Sequence, residues 1–228
     1  MLFLLQDEGA DTVFCPPGVY RAQSDTELLA AVLRRDDLPA GRHVLDLGTG
    51  SGALALAASR AGAASVTAVD ISARAVMAAW FNTRVRGARV QVRRGDLFTG
   101  LGDRRFDLVV ANPPYVPAPT STLPRRGIAR CWDAGLDGRA FLDRICAGVA
   151  ALLTEGGMLV MVHSAVCGTE ESLARLSAVG LDAEVLDRGV IPFGAVMRDR
   201  AALLVARGLI EPGTTLEELV VIGARRVG

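Results

Sequence analysis

Residues Val44-Leu-Asp-Leu-Gly-Thr-Gly-Ser-Gly52 run from a short β-type stretch, through three glycines, into an alanine-rich helix. Gly48, Gly50 and Gly52 let the backbone take left-handed angles and approach a ligand closely. Such a strand–turn–helix belongs at the carboxyl edge of a mostly parallel sheet. The turn alone is ambiguous, because dinucleotide-binding chains place G-x-G-x-x-G at the same point. Two details separate the cases. The spacing here is G-x-G-x-G, and Asp46 stands two residues before the first glycine. A carboxylate there would repel a pyrophosphate, whereas it can oppose the ammonium of a methionine moiety, directly or through water.

Strand-like and helix-like stretches alternate around this turn. Strands are predicted at His43 to Leu47, Ser65 to Val69, Arg89 to Arg93, Phe106 to Ala111, Gly157 to Val162, Leu181 to Leu186 and Leu203 to Ala206. Helices are predicted from Ser24 to about Arg35, after the turn to about Arg60, from a Ser72 cap to about Arg86, from an Asp137 cap to about Leu153, and over Glu170 to Val179. Ser24 and Glu27 have the spacing of a capping box. The alternation implies a Rossmann-like α/β fold, a mostly parallel seven-stranded sheet with helices on both faces. With no repeat or low-complexity linker, the 228 residues read as one domain: an N-terminal extension with one helix over 1–40, a catalytic core over 41–210 and a tail over 211–228.

The 25 arginines match the 25 acidic residues, so no net field favours nucleic acid or an anionic membrane. None of Cys15, Cys131, Cys146 and Cys167 forms a C-x-x-C pair; buried free thiols are expected and no metal site. The apolar start Met1 to Leu5 meets Asp7 and Glu8 at once and has no basic flank, unlike a signal peptide. No apolar run approaches the ~20 residues that span a bilayer. The expected location is cytoplasmic.

Three acids fall at the carboxyl ends of consecutive strands: Asp46, Asp70 and Asp96. Asp70 suits a pair of ribose hydroxyls, and Asp96 an adenine amino group with Leu97 packed on the ring. For Asp70 the plain alternative is a helix-capping role, and for Asp96 a turn residue.

Directly after the fourth strand comes Asn112-Pro-Pro-Tyr115. The prolines stiffen the loop and surrender their donors, leaving carbonyls. The Asn112 side-chain oxygen and the Pro113 carbonyl can each accept one N–H of a planar –NH2, while Tyr115 stacks on the group. That holds the nitrogen in line with a sulfonium methyl and stabilises the charge growing on it. Asn-Pro turns are common on their own account, but this one follows that glycine turn and those acids. The segment Val116 to Leu136 has no regular pattern, and loops this long are functional or disordered. Arg125, Arg126 and Arg130 suit an acidic protein partner or a nucleic acid phosphate, and Trp132 is expected to close the pocket or pack in the core.

Together, the Asp-Leu-Gly-Thr-Gly-Ser-Gly turn and Asn-Pro-Pro-Tyr resemble the class I S-adenosylmethionine-dependent amino-methyltransferases. Within them the chain is similar to the HemK-type protein glutamine N5-methyltransferases, in their compact single-domain branch. Val19-Tyr-Arg-Ala-Gln-Ser-Asp-Thr26 and Gly127-Ile-Ala-Arg-Cys-Trp-Asp-Ala-Gly-Leu-Asp-Gly-Arg139 also carry the likeness, which covers about residues 18 to 165. The resemblance implies cofactor contacts at Tyr20, Thr26, Asp46, Gly48, Gly50, Gly52, Asp70, Ile71, Asp96 and Leu97, with Asn112 bridging cofactor and substrate. It implies S-adenosyl-L-methionine as cofactor, S-adenosyl-L-homocysteine as product, and a glutamine in an exposed loop of a translation release factor as acceptor. A small zinc-binding activator subunit assists members of that branch. The branch's Pro and Glu in the first segment are Ala22 and Ser24 here, and the tail, including Ile191-Pro-Phe-Gly194 and Arg198-Asp-Arg200, matches nothing in it. The alternative acceptor is an adenine amino group in DNA or RNA, or a small-metabolite nitrogen.

Overall fold

The computed structural model describes residues 13–227. The apolar start, read as no signal peptide, lies outside them. One sheet contains β1 (His43–Leu47), β2 (Ser65–Asp70), β3 (Val90–Arg94), β4 (Phe106–Ala111), β5 (Leu153–Ser164), β6 (Leu181–Pro192) and β7 (Leu216–Arg226). Their order is β3-β2-β1-β4-β5-β7-β6. The pairs among β1 to β5 are parallel, and β7 runs antiparallel between β5 and β6. The helices are α1 (Ser24–Arg35), α2 (Ala53–Arg60), α3 (Ala73–Val85), α4 (Ala140–Gly148), α5 (Thr169–Ala178) and α6 (Ala195–Ala206).

Period-two alternation along the strands fills two cores. Leu45, Val109, Leu159 and Ile222 face α4 and α5, packing with Leu142, Ile145 and Leu176. Val44, Leu108, Val160 and Val221 face the opposite side, packing with Leu29 and Leu33 of α1 and Leu54 of α2. Both faces are covered, so residues 108–111 of β4 and 158–162 of β5 are apolar without a break. A third cluster of Val116, Phe193, Met197 and Leu204 ties α6 to the loop after β4, at the carboxyl edge.

The last part of the sheet departs from the sequence reading. Leu203-Leu-Val-Ala206 ends α6 rather than forming a strand, and the seventh strand comes from residues 216–226, within the stretch expected to be a tail. A four-residue apolar run fits helix and strand alike; here its turn continues from Ala195 and stops before Gly208, whose φ is +67°. Two caps also differ. Ser24 is the first helical residue of α1, preceded by Gln23 with no side-chain cap bond, because Asp25 reaches the Thr26 amide instead, at 2.6 Å. Asp137 accepts from the amide of Arg139, the residue before α4, at 3.0 Å, and α4 passes at Val149 into a 3-10 turn that carries the helical run to Leu152, beside the expected end at Leu153. The Ser72 hydroxyl does accept from the Ala75 amide, at 3.5 Å.

Candidate active site

A cleft of about 1280 Å³ opens along the carboxyl edge of the sheet. That exceeds the ~300–1,000 Å³ of a single small-molecule site, so a cofactor and an acceptor side chain fit together.

One half of the wall rises from β1, β2 and β3. Gly48 has φ +71°, and a Cβ there would meet nothing within 4 Å, pointing into open space where a ligand can approach the backbone. Asp70 accepts from the Gly50 amide at 3.0 Å and the Ser72 amide at 2.8 Å. Each oxygen thus keeps a lone pair, enough for two further hydroxyl donors. Burial pushes its carboxyl up, against the lowering effect of those two amides. Ile71 and Leu97 add apolar surface, and Leu97 holds a φ of +48°, rare for a branched side chain and found where a ligand site fixes the backbone. Asp96 stands on the wall with its carboxylate 2.9 Å from Arg144 of α4. Sequence reasoning missed Arg144, because an α4 arginine has no spacing relation to the acids.

Of the expected cofactor residues, Asp46 and Gly52 do not line the cleft. Asp46 shares the side of β1 that carries Val44, so it points beneath the turn and is fully buried. Its Oδ2 accepts from Thr49 Oγ1 at 2.6 Å and the Ala55 amide at 3.0 Å, locking the glycine turn to the start of α2. Gly52 is required for packing: a Cβ would lie 3.0 Å from Ala79 Cα of α3. Burial raises the Asp46 carboxyl to about 7, despite the bonds from Thr49 and Ala55. Because that value lies above the ordinary carboxyl value of 3.8, the unfolded chain ionises first as pH rises. Stability from this residue therefore declines between about pH 4 and 7 and levels off above. Thermal unfolding against pH should show this decline in the wild type and its absence in Asp46→Asn.

The other half of the wall is built on β4, β7 and the start of α1. Asn112 Nδ2 donates to Thr26 Oγ1 at 3.0 Å, and that hydroxyl donates to Asp25 Oδ1 at 3.2 Å. The chain of donors runs one way, ending on a carboxylate that can only accept, so it fixes which end of the Asn112 amide is which. Oδ1 of Asn112 is left to accept from a ligand. Asp25 Oδ2 also accepts from Tyr20 at 2.7 Å and Tyr115 at 3.1 Å. Burial first, and then the Asp25 charge, push both phenols up, so they stay donors. Tyr115 lines the cleft, as expected of a stacking residue, but its hydroxyl is committed to Asp25. Pro113 lines the cleft beside Asn112.

Asp25 is the residue that sequence reasoning passed over. It lies in the quoted segment between Val19 and Thr26, but an acid in the first turn of a helix reads as a response to the helix dipole. Only the fold brings Tyr20 and Tyr115 onto it. Glu217 at the start of β7 was missed with its strand. It is buried on the cleft wall, and burial pushes its carboxyl up.

The segment 116–136 is more ordered than its composition suggests. Val116 bridges Asp133, and residues Ile128–Cys131 form a 3-10 turn. Arg200 of α6 donates to the Pro117 carbonyl at 2.9 Å and pairs with Asp133 at 2.6 Å. Arg207 holds the carbonyls of Ala118, Pro119 and Leu136. Arg198-Asp-Arg200 thus contributes an anchor for the loop, which no local pattern would disclose. Arg125, Arg130 and Trp132 reach the cleft wall, and Trp132 also packs on the third cluster.

The sheet order, the glycine turn and the Asn112 loop define a class I S-adenosylmethionine-dependent methyltransferase. The family model for the methyltransferase small domain matches residues 10–123, and the chain belongs to that family, in its HemK-type branch. A Methanocaldococcus jannaschii protein provisionally named protein N5-glutamine methyltransferase is 30% identical over 79% of this chain and 90% of its own. The release factor glutamine methyltransferase of Geobacter sulfurreducens is 38% identical over 72% of this chain but only 59% of its own length. Among solved structures, a chain of the E. cuniculi Mtq2–Trm112 complex, responsible for methylation of the eRF1 translation termination factor, superposes with a TM-score of 0.64. It is 26% identical, with 92% of this chain and 99% of that one covered.

Proposed function

We propose that this enzyme methylates the side-chain amide nitrogen of a glutamine in an exposed, glycine-flanked protein loop, with a translation release factor as acceptor. The observation that carries it is the oriented Asn112: its Nδ2 donates to Thr26, which leaves Oδ1 as an acceptor, and the carbonyl of Pro113, beside it on the cleft wall, is the second acceptor this reading assigns to one planar –NH2. A hydroxyl, thiol or carboxylate offers at most one donor and leaves an acceptor unpaired. Adenine passes the same test, but the balanced charge argues against a nucleic acid partner. The M. jannaschii, G. sulfurreducens and E. cuniculi proteins favour the amide.

The residues around Gly48 and Asp70 fit S-adenosylmethionine: an open backbone approach, a carboxylate with spare lone pairs at the end of β2, and the apolar Leu97. Bound there, the cofactor supplies an electrophilic methyl carbon on a sulfonium, whose sulfur leaves as a neutral thioether when the acceptor nitrogen takes the methyl and sheds a proton to solvent. The protein's part is orientation and electrostatics. Asn112 and Pro113 point the nitrogen and stabilise its growing positive charge. Asp70→Ala should weaken S-adenosylmethionine binding by roughly 1–3 kcal/mol, and calorimetry with unchanged affinity would remove Asp70 from the cofactor site. A small activator subunit and a cytoplasmic location accord with the same reading, and the E. cuniculi neighbour is itself a complex of two proteins; among the described residues no helix is long and apolar enough to cross a membrane.

The acceptor is tested by incubating the enzyme with labelled cofactor and release factors, DNA and RNA, followed by mass spectrometry. Methyl-glutamine supports the proposal; methyl-adenine with unmodified glutamine overturns it.

A further inference from the structure

Two buried carboxylates face the acceptor half of the cleft, and they differ in one respect. Asp25 is saturated: its four hydrogen bonds come from Tyr20, Tyr115 and the amide and hydroxyl of Thr26. Glu217 is not. Burial pushes its carboxyl up, the Ser164 hydroxyl opposing that, and Oε1 is buried without a hydrogen-bond partner, in a side chain that lines the cleft. A buried acceptor with no donor is costly, and one on the wall of a binding site is completed by whatever enters.

The topology says which occupant that is. Asp70 closes β2 and Asp96 follows β3, on one side of the sheet's switch point. Glu217 opens β7, opposite Ile191 of β6 and two residues before Leu219, which pairs with Ser164 at the end of β5. The strands β4 and β5 therefore separate it from the cofactor half, with Tyr115 between. What reaches Glu217 is the acceptor. Its charge repels a phosphodiester and welcomes an N–H. Both N–H groups of the reacting amide are already taken by Asn112 and Pro113, so the donor is a third one, close by on the same molecule.

We propose that Glu217 is a specificity residue that accepts a hydrogen bond from a main-chain N–H of the acceptor peptide beside the methylated glutamine. This rests on the glutamine reading above and predicts that a free carboxamide is a poor acceptor.

The test uses a synthetic Gly-Gly-Gln loop peptide and two analogues. One is N-methylated at the glutamine's own main-chain nitrogen, the other at the residue that follows. Wild type, Glu217→Gln and Glu217→Asp are compared by steady-state methyl transfer, with cofactor affinity by calorimetry and melting temperature as controls. Both variants should raise KM for the plain peptide about tenfold, with kcat and cofactor affinity within about twofold. One analogue should cost the wild type a similar factor and cost Glu217→Gln, whose uncharged amide oxygen accepts more weakly, clearly less, the coupling expected of two groups in contact. Equal penalties in wild type and variant for both analogues would overturn the assignment, as would an unchanged KM; an oxygen completed by water alone gives that result. A fall in kcat or cofactor affinity without a change in KM would show a structural role instead and also overturn it. A wild type that methylates adenine in nucleic acid but no peptide removes the underlying reading, and Glu217's role falls with it.

Discussion

Asn112→Ala should lower the rate of methyl transfer by at least about a hundredfold, the usual cost of removing one acceptor or donor aimed at charge that grows in the transition state. The substitution removes Oδ1 and also releases Thr26, whose hydroxyl keeps its bond to Asp25. Cofactor affinity should fall by far less, because Asp70, Gly48 and Leu97 lie on the other side of β4. The same logic separates Asn112→Asp. A carboxylate cannot donate to Thr26 Oγ1, so the Thr26 hydroxyl must choose between two acids, and the one-way chain of donors is broken. Single-turnover methyl transfer from bound S-adenosylmethionine measures the step itself. A near-normal single-turnover rate in Asn112→Ala would remove this loop from catalysis.

The glycine turn, the Asn112 loop and Asp70 were legible in the sequence because each is a local pattern with a local cause. Gly48 needs a positive φ, Pro113 and Pro114 follow Asn112 at once, and Asp70 ends the β-type stretch that begins at Ser65. The limits of local pattern show in the same place. Asp46 and Asp70 look alike in sequence, yet the period of the strand sends Asp46 beneath the turn and leaves Asp70 at the edge. Gly48 and Gly52 also look alike, but one faces open space and the other the backbone of α3. Those assignments depend on which side of β1 faces α2.

The last 40 residues were least legible. Leu203 to Ala206 has the composition of a strand, and β7 begins after a polar, glycine-containing turn that resembles a frayed end. An antiparallel strand inserted between β5 and β6 gains its stability from pairing on both sides, which no window of sequence reports. That missed strand brought Glu217 into the cleft, and the missed helix brought the arginines that hold the loop.

The second large effect is expected at Asp25. Its carboxylate is buried and accepts from Tyr20, Tyr115 and both donors of Thr26. Asp25→Ala strands all of them in a site closed by the third cluster and the cleft wall. Each buried donor without a partner costs about 1–3 kcal/mol, less whatever a water in the vacated space restores. The net loss should be about 3–5 kcal/mol, similar to breaking a buried charged pair from one side. For a chain of this length that lowers the melting temperature by on the order of 10 °C. Turnover should fall too, because Thr26 loses the acceptor that points its hydroxyl and Asn112 is then free to turn its amide over. Tyr20→Phe and Tyr115→Phe remove one donor each and leave the carboxylate in place, so each should cost about 1 kcal/mol. Asp25→Asn keeps the volume and half the acceptors; it should melt between wild type and Asp25→Ala while losing most of the turnover. Thermal unfolding and single-turnover rates on the four variants separate the two effects. If Asp25→Ala melts within about 2 °C of wild type and transfers methyl at a near-normal rate, Asp25 is not the hub of this site.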